Sequence, residues 1–103
     1  MSVKSTVCQT ITRYLDRDKT MIFLFGSRAS GHPRSTSDYD VGLFTGRKVR
    51  ADVMAMIKSD LEESSLPVRV DVVDFSAVSK IFKNVSLQRI RIWNKPRRNL
   101  KLN

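Results

Sequence analysis

Residues 21–44, MIFLFGSRASGHPRSTSDYDVGLF, decide how the chain folds. The apolar run from Met21 to Phe25 is too short for a helix and rich in Phe and Ile, which predicts a buried strand ending at Gly26-Ser27. A polar excursion over 26–37, with room for one helical turn, precedes a second strand that starts at Asp38 and runs to Phe44. Side chains alternate along a strand, so Asp38 and Asp40 share a face about 7 Å apart while Tyr39 points the other way. Two carboxylates aimed at one point repel by roughly 4 kcal/mol at 4 Å and an effective dielectric near 20, unless a proton or cation lies between them. A divalent metal is the expected guest. Gly42, inside the same strand, predicts a bulge or another group passing close to the backbone.

Working outward, Val3, Val7, Ile11, Tyr14 and Leu15 fall at helical spacing, so the reading places a helix over 3–15 with Ser2 as its N-cap. Cys8 lies beside that stripe and reads as small core filler. Val49, Val53, Met56, Ile57 and Leu61 predict a second helix over 49–63, which Pro67 stops from continuing. A third strand, 68–75 (VRVDVVDF), puts Arg69, Asp71 and Val73 on one face and Val68, Val70, Val72 and Asp74 on the other. An acid inside a run of valines is costly to bury unpaired, so Asp71 either has a cation or lies at the strand's exposed end. Asp74 reads as the residue that opens the next helix, which Ser76 would cap and Val78, Ile81, Phe82 and Val85 would anchor. A last edge strand, 87–93, is expected to bury Ile90 and Ile92 and to expose Arg89, Arg91 and Trp93.

With 103 residues the chain has room for one core, read as a single domain over 1–95 followed by a basic tail over 96–103. The longest apolar run is far below the ~20 residues of a membrane span, and the N-terminus lacks the apolar segment of a secretory signal. One cysteine excludes an internal disulfide and fits a reducing, cytoplasmic setting. The net charge is +9, and from Ile81 onward every charged side chain is basic. That balance implies attraction to nucleotides, RNA or an acidic protein surface without choosing among them.

The motifs narrow the chemistry. A glycine at a strand end lets a phosphate approach the backbone, and the following serine offers an N–H and a hydroxyl. Three carboxylates nearby would hold two Mg²⁺ ions, and the sum is a phosphoryl-transfer site. The stretch from Gly26 to Pro33 has the spacing of a Walker A loop but carries His32 and Pro33 in place of its Lys and Ser/Thr. With one His and one Cys, a two-His metal site and a zinc cluster are both excluded.

At this point GSRASGHPRSTSDYD resembles the signature of the DNA polymerase beta-type nucleotidyltransferase superfamily, in which Gly-Ser, a spacer and [ST]-D-x-D precede a third acid on a later strand. More narrowly, GSRAxG, the spacing to Ser37-Asp38 and LPVRVDVVDF are similar to the minimal nucleotidyltransferases, small partners of HEPN proteins in prokaryotic toxin–antitoxin pairs. The resemblance covers roughly residues 20–93. It implies an α/β (α+β) nucleotidyltransferase fold: a small mixed sheet of about four strands packed against helices on one side. It also implies transfer of a nucleoside monophosphate, AMP, from an NTP such as ATP to a hydroxyl of a HEPN-like partner.

Under the same resemblance Gly26 and Ser27 grip the phosphates, and Arg28, Arg34 and Ser37 complete the nucleotide site. Asp38, Asp40 and Asp71 are the catalytic, Mg²⁺-binding acids. Ser30 departs from the family pattern, where arginine or lysine is common, which leaves Arg28 and Arg34 to meet the triphosphate. No helical domain follows the core, so the acceptor is expected on another chain. The alternatives are a non-catalytic antitoxin acting by occlusion and an RNA-binding module using the basic C-terminus; nucleic acid is the less favoured partner. A homo-oligomer through Trp93 and the edge strand stays open, and no membrane partner is expected.

Overall fold

The computed structural model describes residues 2–26, 28–29, 38–78, 80, 84 and 89–97. The expectations for Ser27, His32, Arg34, Ser37, Ile81, Phe82, Val85, Leu87 and the tail from Arg98 onward lie outside them. Among the described residues the α-helices and strands follow in the order α1 (Val3–Ile11), β1 (Met21–Phe25), β2 (Tyr39–Phe44), α2 (Ala51–Glu62), β3 (Val70–Asp74) and β4 (Arg91–Asn94). A 3-10 turn over Arg17–Lys19 leads into β1, with the Asp16 side chain accepting from Asp18 N.

The four strands form one mixed sheet in the order β3-β2-β1-β4. β1 runs antiparallel to both β2 and β4, whereas β3 runs parallel to β2. The parallel pair requires a crossover, and α2 supplies it. α1 and α2 cover one face of the sheet, as the sequence predicts.

α1 is shorter than its apolar stripe. It ends at Ile11, and the backbone turns through Thr12 to Leu15 instead of continuing. The Thr10 hydroxyl donates to Thr6 O at 2.8 Å and the Thr12 hydroxyl to Cys8 O at 2.7 Å, and such back-bonding loosens a helix end. Tyr14 still reaches the helix layer, where its hydroxyl donates to Asp60 on α2; that hydrogen bond, above all, raises the phenol's pKa.

Each face of the sheet has its own packing. On the helix side Val7, Ile11, Ile57 and Leu61 meet Ile22, Val41, Leu43 and Val72, with half-buried Cys8 against them. On the opposite side Met21, Phe23, Phe25, Phe44 and Phe75 form an aromatic cluster in which Phe75 lies edge-on to Phe23 and Phe25, with ring centroids 4.9 and 5.0 Å apart. Gly42 makes that cluster possible, since a Cβ there would lie 2.3 Å from Phe23 Cζ and 2.7 Å from Phe75 Cε1. The close approach expected at this glycine is made by two rings.

At β4 the structure corrects the expected alternation. The pairing steps from Ile22↔Asn94 to Phe23↔Ile92, so Trp93 is the extra residue of a β-bulge. Trp93 consequently packs half-buried against the helix-side core, and Ile92 is the apolar residue left exposed, at 47%. The Asn94 amide fixes this end by donating to Arg17 O and Thr20 O at 3.0 and 2.8 Å. Among the described residues no helix is long and apolar enough to cross a membrane.

Replacing Gly42 with Ala should destabilise the fold by about 1–3 kcal/mol, the usual range for overpacking a closed core. Urea denaturation checks this; an unchanged midpoint would show that the two rings can move aside.

Candidate active site

The site begins with strand geometry. β2 pairs with β3 so that Asp40 is the direct partner of Asp71, on strands about 4.8 Å apart, and Asp38 precedes Asp40 by one full pleat. All three acids belong to the face that carries the aromatic cluster, away from α1 and α2, because Val41, Leu43 and Val72 point to the helices. Tyr39 N donates to Arg69 O at 3.0 Å and so extends the pairing to the residue before β3.

Burial, then the charges of Asp71 and Asp38, push the Asp40 carboxyl above the usual carboxylate range. Among the described residues one cation stands among the acids: Arg69 Nε lies 3.9 Å from Asp38 Oδ2 and 3.7 Å from Asp71 Oδ1. The Arg69 side chain is 74% exposed, so these pairs are worth little in water and are easily exchanged. Asp71, half-exposed, thus has both the cation and the exposure that the sequence left as alternatives.

Gly26 closes the site at the end of β1. Its φ of +77° suits glycine, and a Cβ there would lie 2.4 Å from Asp40 Oδ2. The strand-end glycine and the second acid of the D-x-D pair are therefore in direct juxtaposition. Arg28 goes elsewhere: its guanidinium carbon sits 4.0 Å above the Tyr39 ring, whose centroid is 6.4 Å from that of Trp93. Tyr39 alternates to the sheet face opposite the acids, so the Arg28 head is not beside Asp40. Asp74 is no part of the acid group. It is buried at 8% exposure, its Oδ1 accepts from Ser76 N at 2.9 Å, and its Oδ2 accepts from Val49 N at 2.7 Å. The second bond, a tie between the end of β3 and the approach to α2, has no signal in the sequence.

The donor chemistry suits a hard divalent ion, since every side-chain ligand on offer is a carboxylate oxygen and their mutual repulsion is relieved by positive charge. Among the described residues, no group of three Asp, Glu, His or Cys side chains stands at metal-holding spacing. The cation now beside Asp38 and Asp71 is the Arg69 guanidinium.

The chain is similar to known proteins in sequence and in fold. Residues 9–98 match the family described as Polymerase beta, Nucleotidyltransferase. The probable protein adenylyltransferase MntA of Haemophilus influenzae is 30% identical over 84 residues, covering 82% of this chain and 73% of the relative. Among solved structures, a chain of a toxin–antitoxin complex with AMP-PNP superposes with a TM-score of 0.72 at 19% identity, covering 89% of this chain and 73% of that one. A chain from the tri-AMPylated Shewanella oneidensis HEPN toxin in complex with MNT antitoxin gives a TM-score of 0.58 at 20% identity, covering 88% of this chain and 71% of that one. At these identities the two superpositions speak to the fold.

Because its pKa is raised, Asp40 holds its proton more tightly in the folded protein than in the unfolded chain. The penalty is present above the raised pKa and is relieved as pH falls through it. In metal-free buffer Asp40→Asn should therefore melt a few degrees higher than the parent near pH 8, and the gap should shrink toward pH 4. A gap of the opposite sign, or one independent of pH, would show that the carboxylates do not interact as their register implies.

Proposed function

The chain belongs to the polymerase beta family of nucleotidyltransferases, and on that basis we propose that it transfers AMP from ATP to a hydroxyl of a HEPN-like partner protein, as the antitoxin of a toxin–antitoxin pair. The observation that carries the reading is the register that sets Asp40 opposite Asp71 with Gly26 against the Asp40 carboxylate. The resemblance to a protein adenylyltransferase supports the choice of AMP and of a protein acceptor. We propose residues 1–95 as the catalytic unit and the cytoplasm as its setting.

In this reading the acceptor oxygen attacks the α-phosphorus of ATP, the bond to the bridging oxygen breaks, and pyrophosphate leaves. Asp71 lies at the outer edge of the acid group and takes the acceptor's proton. Asp40 projects from β2 and Asp38 from the residue just before it, so the backbone sets the direction from which both carboxylates approach the reacting centre. Gly26, lacking a side chain, leaves the backbone open to the β- and γ-phosphates, with Ser27 as the adjacent donor. Arg28, Arg34 and Ser37 are assigned to the remaining nucleotide contacts; Arg28 would leave the Tyr39 ring to make its own. Asp38, Asp40 and Asp71 would hold two Mg²⁺ ions, which when bound neutralise phosphate charge and make the acceptor hydroxyl more acidic. Arg69 must move off Asp38 and Asp71 for those oxygens to take up a metal.

The test is label transfer from [α-³²P]ATP to the purified partner. Asp38→Asn and Asp40→Asn should each lower the rate by about 100-fold or more while leaving the circular dichroism spectrum unchanged. Undiminished labelling in the double variant would remove the acids from the chemistry and leave occlusion of the partner as the reading.

A further inference from the structure

The other end of the sheet carries a second concentration of charge. A cavity of about 620 Å³ opens where α1 ends, β1 begins and α2 begins, lined by Thr20, Lys19, Arg47, Lys48 and Arg50 among others. Gly26 is six residues from Thr20 along β1, so the cavity is roughly 20 Å from the acids. Among the described residues Lys19, Arg47 and Lys48 make no ion pair, and Arg50 pairs with Asp52 at 2.8 Å. Among the described residues Asp16 is the one acid in the lining, and its carboxylate accepts from Asp18 N.

Two further features face this cavity. α2 starts there with Arg50 as its N-cap, and that side chain caps no amide. Asp52 Oδ1 takes the Val53 N–H at 2.9 Å, and of the first turn of the helix Arg50 and Val53 line the cavity. Thr20 is 1% exposed, and among the described residues its Oγ1 has no hydrogen-bond partner. By strand alternation its side chain lies on the same face as Ile22, the helix side on which the cavity opens. An orphaned hydroxyl and four cations, placed together around the N-cap of α2 in a cavity of that size, are complementary to an oxyanion.

The geometry points to a phosphate-binding site between Thr20 and the start of α2, distinct from the nucleotidyltransferase centre. Its ligand is a phosphate group, carried either by a free polyphosphate or by a nucleic-acid backbone. The site holds whether or not the proposed acceptor reaction is correct, because none of the three catalytic acids enters it.

The experiment is a titration of the ¹⁵N-labelled chain with sodium pyrophosphate in EDTA, read at the amides of Thr20, Lys48 and Arg50. Saturable shifts at these three positions are expected, and Arg47→Ser with Lys48→Ser should weaken binding about tenfold. Thr20→Val, which keeps the shape and removes the orphaned hydroxyl, should weaken binding about threefold without lowering the melting temperature. A parallel titration with a single-stranded oligouridylate identifies the source. Binding at least tenfold tighter than pyrophosphate, and falling steeply with salt, assigns the site to a nucleic-acid backbone; equal or weaker binding assigns it to free phosphates. Shifts confined to Gly26 and Asp40, or affinity unchanged in the double serine variant, would overturn the proposal.

Discussion

Like charges held at fixed spacing are the constraint on which the rest of the molecule depends. The parallel pairing of β2 with β3 sets Asp40 directly beside Asp71, and no rotamer change takes two such neighbours far apart. A fold that needed only stability would put an apolar or opposite-charge pair there. Here the strain is tolerated because the surrounding sheet is over-determined, by aliphatic contacts to both helices on one side and by packed aromatic rings on the other. Arg69 relieves part of the repulsion from an exposed position, where it can be replaced by a ligand of higher charge.

The two faces of the sheet thus do different work. The helix side is built from branched aliphatic residues that interdigitate with α1 and α2. The other side combines the acids near one end with the Phe23, Phe25 and Phe75 cluster further along, so the carboxylates rise from an apolar floor. That floor withholds water from Asp40 on one side, and burial is the largest cause of its raised pKa. Asp74 adds stiffness at the far end of β3 by tying it to the backbone just before α2.

Much of this was legible from period-two alternation. It places Asp38 with Asp40, separates Tyr39 from both, puts Asp71 and Asp74 on opposite faces, and marks Gly42 as a point of close approach. What alternation cannot supply is register between strands distant in sequence: the pairing of Asp40 with Asp71 depends on how far α2 carries the chain before β3 begins. Nor does it identify Phe23 and Phe75 as the groups that fill the space at Gly42. At β4 it misleads, because one bulged residue reverses inside and outside, which brings Trp93 inward and leaves Ile92 exposed. The helical stripe of α1 overran its true end because two threonine hydroxyls compete for backbone carbonyls near its C-terminus. The cavity at the start of α2 drew its lining from two separate stretches of chain, 14–20 and 45–53, neither of which carries a motif.

The missing side chain at Gly42 also determines what β2 cannot do. Sliding the strand by one residue would turn its acids into the aliphatic layer, and sliding it by two would drive Asp40 or Phe44 into the space the two rings already occupy. β2 is therefore locked to a single position along its neighbours, and any adjustment at this end of the sheet has to come from side-chain rotation rather than from the strand that carries Asp40.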